Sequence, residues 1–256
     1  MSTQPYYQDA AVSLYLGDYR DHLGILKAAK PDAIVTDPPY GETSLDWDVW
    51  PTGWLTDAAL ITRNLWCWGS FRMFHEHAAE FAAWKLAQDT VWEKHNGSSL
   101  ANDRFSRVHE FATQRYRGTW GDLYNAPPTT PDAVKKTVRK KAKPTHHQGA
   151  AGPSYFVSED GGDRLMRSVI KLRSMHGTAI NETEKPVGLQ RIYIGASVPV
   201  GGLVVDLFSG SASVGIAARQ LGRRAILCEK RESQCEAAAK RLERETSQLL
   251  DLGGIA

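Results

Sequence analysis

Short apolar runs alternate with segments of helical periodicity along most of the chain. Six runs rich in apolar and β-branched residues predict buried strands, at 12–16, 33–36, 90–92, 109–115, 203–205 and 225–228. Apolar residues spaced three and four apart predict helices at 56–65 and 74–87, one starting at Pro186, one capped by Ser213, and one after the last strand. Strands that alternate with helices predict an α/β fold, a doubly wound and mainly parallel sheet covered on both faces.

The regular pattern is interrupted between residues 118 and 178. This segment is rich in Pro, Gly, Lys and His and has little sustained period. It is too long for an ordinary loop in a compact domain, so it is either an inserted subdomain or a partly disordered segment. The chain is therefore predicted to consist of a first half at 12–117, an insert at 118–178 and a second half at 179–246.

Composition limits the class of protein. At 256 residues, of which 42% are hydrophobic, the chain can bury one substantial core. No run reaches the roughly 18 apolar residues that span a bilayer, and the polar start at 1–5 is not typical of a signal peptide. The three cysteines have no metal-ligand spacing and no even count for disulfides, so no metal site is predicted. A reduced, cytoplasmic setting without membrane contact fits best.

The net charge of +2 says little by itself, but the basic residues are unevenly placed. Six of them fall within nine residues that contain no acid. They are Lys135, Lys136, Arg139, Lys140, Lys141 and Lys143. Such a run is either a solvated loop or a contact for a polyanion. Because it lies in the insert, we expect it to follow a phosphate backbone rather than to read bases.

A first chemical motif, Asp37-Pro38-Pro39-Tyr40, follows the predicted strand at 33–36. Asp37 offers a carboxylate acceptor, and Pro38 offers a backbone carbonyl that the prolines hold rigidly. The ring face of Tyr40, rather than its hydroxyl, is expected to stack on a planar substrate. The alternative for this motif is a plain turn between a strand and a helix.

A second motif, Asp206-Leu207-Phe208-Ser209-Gly210-Ser211, follows the strand at 203–205. In doubly wound sheets, ligands bind beyond the carboxyl ends of the strands, where a turn of small residues allows close approach. Glu229 ends the next strand, 23 residues after Asp206, where an acid can accept both hydroxyls of a ribose. Its alternative is a surface acid paired with Lys230 or Arg231.

In this order the two motifs resemble those of the S-adenosylmethionine-dependent amino-methyltransferases of DNA, in the circularly permuted group whose catalytic motif precedes the cofactor motif. Glu184-Lys185-Pro186 lies where that family places it, and the resemblance covers roughly 12–116 and 165–245. It implies a class I, Rossmann-like methyltransferase fold. The first half would be catalytic, the insert at 118–178 would recognise the target, and 179–246 would bind the cofactor.

The resemblance also implies a reaction and a set of site residues. The methyl group would pass from S-adenosylmethionine to the N6 amine of an adenine flipped out of double-stranded DNA, with Asp37, Pro38, Pro39 and Tyr40 as the catalytic motif. The expected cofactor residues are Asp18, Asp37, Lys185, Asp206, Phe208, Ser209, Gly210, Ser211 and Glu229. Among them, Asp18 would contact the adenine of the cofactor, Lys185 its carboxylate and Glu229 its ribose. The family pattern Asp-x-Phe-x-Gly-x-Gly has Ala212 in place of its second glycine here.

Several alternatives stay open at this point. A cytosine-N4 methyltransferase shares the fold, but its first catalytic residue is usually Ser rather than Asp. A protein-glutamine methyltransferase favours Asn there and the unpermuted order. A catalytically inactive DNA-binding relative is the alternative from another class. The resemblance is compatible with a homodimer and with a bacterial or phage-encoded, nucleoid-associated protein of restriction-modification type.

Overall fold

The computed structural model of the chain describes residues 4–98, 103–140, 154–175, 180 and 183–253. These residues form two compact units, one built from the segments up to Ala126 and from Ser168 onward, the other from Pro127–Arg167. Within the described ranges, no helix combines the length and apolarity needed to cross a membrane.

The described residues contain thirteen strands and six α-helices. The strands are β1 Tyr7–Gln8, β2 Val12–Leu16, β3 Ala33–Thr36, β4 Asn64–Gly69, β5 Lys85–Ser98, β6 Arg107–Tyr116, β7 Thr129–Thr130, β8 Lys136–Lys140, β9 Ser154–Ser158, β10 Arg164–Leu165, β11 Val169–Lys171, β12 Leu203–Asp206 and β13 Arg224–Glu229. The helices are α1 Leu23–Ala29, α2 Trp54–Ile61, α3 Phe71–Glu76, α4 Val187–Ser197, α5 Ser213–Gln220 and α6 Glu232–Gly253.

Nine strands of the first unit form one mixed sheet in the order β1-β2-β13-β12-β3-β4-β6-β5-β11. The five from β2 to β4 in this order run parallel, whereas β6 is antiparallel to both of its neighbours. Parallel neighbours bring their carboxyl ends to one edge of the sheet. Residues that follow β2, β13, β12 and β3 therefore meet there although they are far apart in sequence.

Alternate residues of the central strands pack into two separate hydrophobic cores, one on each face of the sheet. In β12, Val204 enters the core built with α4, α5 and α6, and Val205 enters the other. The second core receives Leu26 of α1, Trp54 of α2 and Met73 of α3. Burial on both faces explains why these strands read as continuous apolar runs, and it confirms the predicted doubly wound α/β fold.

Two predicted helices are wrong in part. The helix predicted at 56–65 ends at Ile61, and Asn64–Gly69 instead forms β4, every residue of which is buried. A strand buried on both faces has no period of two, so the same apolar residues also fit a helical stripe. The segment predicted as a helix at 74–87 contains the end of α3, a 3-10 turn at Glu80–Ala83 and the start of β5. Ser70, whose hydroxyl accepts from the backbone N–H of Met73, starts α3 earlier than expected.

The starts of two later helices differ by one residue from the prediction. Pro186 is the N-cap of α4 rather than its first residue. Ser213 is the first residue of α5, and the N-cap is Ala212, which has no side-chain acceptor to offer.

The second unit is a small β structure. Its strands pair antiparallel as β7 with β10 and as β8 with β9. Three large apolar side chains of this unit are exposed: Val134 at 74%, and Tyr155 and Phe156 of β9 at 70% and 56%. This unit lies inside the predicted insert at 118–178, whereas β11 belongs to the main sheet.

Candidate active site and cofactor cavity

A cavity of about 480 Å³ opens at the carboxyl edge of the parallel strands. Residues that end or closely follow four adjacent strands line it: Asp18 two residues after β2, Glu229 of β13, Asp206 of β12 and Asp37 after β3. Its size is that of a pocket for a small organic ligand. The structure thus brings the two sequence motifs together, and of the expected cofactor residues all nine line this cavity.

Asp206 is a buried carboxylate at the base of the cavity, 4% exposed. Its Oδ1 accepts from the hydroxyl of Thr36 at 2.6 Å and from the backbone N–H of Phe208 at 3.1 Å. Burial raises the pKa of the Asp206 carboxyl to about 7, although both hydrogen bonds oppose this shift. The carboxylate is therefore poorly neutralised by the chain, and a cation in the cavity would stabilise its charged form.

The turn from β12 into α5 is tight and polar. Gly210 and Ala212 both have positive φ, 48° and 61°, and Ala212 is one of two described non-glycine residues in that region. The hydroxyl of Ser211 hydrogen-bonds that of Ser213 at 3.0 Å. The buried hydroxyl of Ser209 has no hydrogen-bond partner among the described residues.

Glu229 holds this turn from the neighbouring strand. One carboxylate oxygen accepts from the N–H of Gly210 at 2.9 Å, and the other accepts from the N–H of Arg231 at 2.9 Å. The Arg231 side chain is 3.5 Å from Glu229 and also lies over the ring of Trp47, 4.7 Å from its centroid. The alternative of pairing with Arg231 is thus partly realised, but Glu229 is buried at 7% exposure and lines the cavity, so it is not a surface acid.

Asp18 and Phe208 complete the lining near β2. Asp18 accepts from the N–H of Arg20 at 3.1 Å and lies 3.5 Å from the ammonium of Lys230. The ring of Phe208 packs edge-to-face against Tyr19 and Trp54, with centroids 5.5 and 5.8 Å apart. These contacts fix the Phe208 ring beside the cavity.

Asp37 joins the cavity to the Pro-Pro-Tyr turn. Its Oδ1 accepts from the Tyr40 hydroxyl at 2.6 Å, and its Oδ2 accepts from the Lys185 ammonium at 2.5 Å. Burial raises the pKa of the Asp37 carboxyl, with the charge of Lys185 opposing that rise. The bond to Asp37 also gives the Tyr40 hydroxyl a role that the sequence did not indicate, because only the ring face was expected to matter.

The ammonium of Lys185 is held by other groups of the protein. Among the described residues, it donates to Asp37 at 2.5 Å and to the Thr183 carbonyl at 3.4 Å, and it forms an ion pair with Glu110 at 3.1 Å. Lys185 lines the cavity, but its donors are directed to these groups. The contact with a cofactor carboxylate stays a prediction, and it would require one of these bonds to be exchanged.

Two carboxylates of this region were not identified as site residues from sequence. Asp48 accepts from the backbone N–H groups of Tyr40 and Gly41 with Oδ1, and from those of Glu42 and Thr43 with Oδ2, at 2.7–3.0 Å. These bonds lower the pKa of Asp48 against the effect of its burial. Asp48 thereby ties down the loop that carries Tyr40, and no local periodicity signals such a role.

The other carboxylate is Glu110 in the middle of β6. It forms ion pairs with Lys185 and with Lys94 of β5. Position 110 lies within the stretch at 12–116 that the family resemblance covers, but no motif there indicates a role for Glu110.

The basic run lies apart from these residues in sequence and in the other unit. Lys136, Arg139 and Lys140 are on β8, and Lys135 directly precedes it and pairs with Glu159 at 3.4 Å. Arg139 stands opposite Tyr155 in the β8–β9 pair. Lys141 and Lys143 lie outside the described residues.

The fold and the cavity define a class I methyltransferase-like α/β protein, and comparisons with known proteins agree. The family model N6_N4_Mtase, described as DNA methylase, matches residues 31–240. The chain belongs to this family of DNA methylases.

Individual relatives are more distant. The type II methyltransferase M2.DpnII of Streptococcus pneumoniae is 25% identical over 277 residues, covering 96% of this chain and 94% of the relative. The M1.HpyAVI–SAM complex is 21% identical with a TM-score of 0.61, over 90% of this chain and 99% of that one. The cytosine-N4-specific PvuII DNA methyltransferase is 16% identical, also with a TM-score of 0.61, over 95% and 93% of the two chains. At these identities the two solved structures establish a shared fold.

Proposed function

We propose that this protein is a DNA methyltransferase of the permuted group that transfers a methyl group from S-adenosylmethionine to the N6 amine of adenine. The observation that carries the proposal is that Asp37 lines the same cavity as Asp206 and Glu229. One cavity can then hold the methyl donor against the group that receives the target amine. A carboxylate at position 37 favours adenine, because cytosine-N4 enzymes usually carry Ser there.

The chemistry of the cavity fits S-adenosylmethionine. Asp206 is a buried carboxylate that no cation pairs with in the described part of the chain, and it suits the cationic methionine end of the cofactor. Glu229 suits the ribose hydroxyls, and the Ser209 hydroxyl, which has no partner among the residues described, can hydrogen-bond the cofactor. Asp18 and Phe208 also line the cavity, where Asp18 suits the adenine of the cofactor and Phe208 its methionine part. When bound, the cofactor supplies an electrophilic methyl group.

The residues of the Asp37–Tyr40 turn prepare the target amine. Each carboxylate oxygen of Asp37 accepts one bond in the chain, from Tyr40 or from Lys185, and retains a lone pair for an amine hydrogen. The Pro38 carbonyl can take the second hydrogen. Drawing on both N–H bonds localises the nitrogen lone pair and directs it at the methyl group, and the rigid turn makes this geometry available in advance. The ring of Tyr40 stacks on the flipped base.

The unit at Pro127–Arg167 carries the DNA contacts in this proposal. From 133 to 158 the sequence holds the six basic residues of the run and no acid. Lys136 and Arg139 are exposed on β8, and the facing strand exposes Tyr155 and Phe156. A positively charged ribbon of two strands is one of the structures that DNA grooves accommodate. The insert at 118–178 is accordingly proposed as the target-recognition region.

The test is mass spectrometry of nucleosides from DNA treated with the purified protein and S-adenosylmethionine. N6-methyladenine is expected, and Asp37→Asn should reduce its formation at least ~100-fold, about 2.7 kcal/mol in activation free energy. Because Asp37→Asn preserves shape and Asp37 faces the base, calorimetric affinity for S-adenosylmethionine should change much less. N4-methylcytosine as the product would make the protein a cytosine enzyme. Cofactor binding without any methylated product would indicate an inactive relative.

A further inference from the structure

Four charged side chains of alternating sign run from β5 to the Asp37 carboxylate. Lys94 on β5 pairs with Glu110 on β6, Glu110 with Lys185, and Lys185 with Asp37. The side chains of Lys185 and Glu110 are only 5% and 13% exposed. The last two links measure 3.1 and 2.5 Å between nitrogen and oxygen.

Glu110 is firmly ionised in this arrangement. Although burial opposes its charge, the ammonium groups of Lys185 and Lys94 lower the pKa of Glu110 to about 2. Burying a carboxylate is costly, and a neutral side chain of similar volume would commonly be as stable. Fold stability alone therefore does not explain a charged residue at position 110, whereas the ion pair of Glu110 with Lys185 does.

Lys185 is shared between two carboxylates because of Glu110. If Lys185 bound Asp37 alone, the full ammonium charge would be directed at the carboxylate that must accept the target amine. Sharing the ammonium with Glu110 weakens its hold on Asp37 and fixes it at Oδ2 of that carboxylate, while Tyr40 bonds Oδ1. Asp37 then keeps more negative charge for the amine hydrogens.

We propose that Glu110 is a positioning residue for methyl transfer: by binding Lys185 it holds the ammonium between two carboxylates and so keeps Asp37 a strong, correctly oriented acceptor. This inference rests on the proposed function, since it concerns the same amine. Lys94 is the counter-charge that keeps Glu110 from drawing Lys185 away from Asp37.

The titration of Asp37 gives a signature that a structural role would not. Asp37 faces Tyr40 on its own turn, Lys185 before α4, Glu110 on β6, Cys67 on β4 and Asp206 at the end of β12. The negative charge of Glu110 raises the pKa of Asp37. Removing that charge must lower this pKa, and removing the cation that compensates Glu110 must raise it.

The experiment compares single-turnover rates against pH for Glu110→Gln and Lys94→Met with those of the wild type. The acidic limb of the rate reports protonation of Asp37 in the complex. For Glu110→Gln we expect a rate lowered on the order of 10- to 100-fold, as for a misplaced catalytic group, with the limb moved to lower pH. For Lys94→Met we expect the limb to move to higher pH. Glu93→Gln is the matched control. Glu93 is also a charged residue of β5, but it pairs with Lys171, at 3.1 Å, outside the site.

Opposite shifts in the two variants support the inference. If the acidic limb of the pH–rate profile stays at the wild-type pH in both variants, the inference about Glu110 is wrong, whatever the rates. Lys94 is a quarter exposed, so Lys94→Met decides the question even if Glu110→Gln does not fold. A wild type that methylates no DNA contradicts the proposed function itself, whereas a methylating wild type with unshifted variants contradicts only the role of Glu110.

Discussion

Replacing Asp206 by Asn should stabilise the protein without its cofactor and at the same time weaken cofactor binding. Asp206 is buried, and its pKa is raised from 3.8 to about 7. A difference of about three pKa units between the folded and the unfolded state corresponds to about 4 kcal/mol of differential interaction between the two protonation states. Above pH 7, the ionised Asp206 carboxylate therefore lowers the free energy of unfolding by at most this amount.

The pH dependence follows from the direction of this shift. Between about pH 4 and 7 the folded protein holds a proton on Asp206 that the unfolded chain releases. The unfolding free energy of the wild type therefore falls as pH rises through this window, and the Asn variant lacks this contribution. The advantage of Asp206→Asn should be small near pH 4 and largest above pH 7. Asn can still accept from Thr36 and Phe208, so these hydrogen bonds are not the variable.

Urea unfolding at pH 5 and pH 8.5 measures this difference, and calorimetry with S-adenosylmethionine measures the loss of affinity. Asp48→Asn is the matched control, because its hydrogen bonds lower the pKa of Asp48. Its carboxylate contributes stability that is present above the unfolded pKa and lost as pH falls, so this variant should be destabilised at pH 8.5. If Asp206→Asn is destabilised at pH 8.5, or differs equally from the wild type at both pH values, the reasoning about Asp206 is wrong.

Three further predictions concern the cofactor, the target base and the DNA backbone. Glu229→Ala should weaken S-adenosylmethionine binding by roughly 1.5–3 kcal/mol in calorimetry. Glu229→Gln keeps an acceptor for the N–H of Gly210 and should lose less affinity. Unchanged affinity in a folded Ala variant would show that Glu229 is not part of the site. Tyr40→Phe should lower the methylation rate about tenfold, near 1.4 kcal/mol, because the hydrogen bond that orients the Asp37 carboxylate is lost. A wild-type rate in this variant would show that only the ring matters. The third change neutralises three lysines of the basic run, Lys135, Lys136 and Lys140. It should flatten the slope of log affinity for DNA against log salt concentration by up to about 2.7 units. An unaltered slope would show that the run is a solvated loop.

Local sequence was sufficient for the parts of the fold that depend on local pattern. β3, β12 and β13 were predicted closely because short apolar runs ended by an acid leave few alternatives. The meeting of Asp37, Asp206 and Glu229 at one edge followed from parallel pairing. The buried strand β4 was missed because full burial removes the alternation that identifies a strand.

The supporting residues of the site could not be predicted in the same way. Glu110 reaches Lys185 because β6 pairs antiparallel with β4, a pairing that sequence periodicity does not specify. Asp48 acts through four backbone N–H groups of a loop without regular structure. Both roles depend on the folded path of the chain rather than on residue type and spacing.

The left-handed turn at Ala212 bears on how this motif can drift in evolution. A side chain at a φ of 61° costs roughly 1–2 kcal/mol compared with glycine. Glycine would lose about 0.8 kcal/mol from the buried methyl group and roughly 0.4–1 kcal/mol through the greater freedom of the unfolded chain. These contributions nearly cancel, so alanine and glycine give closely similar stability here, and a lineage can exchange one for the other without loss of the turn.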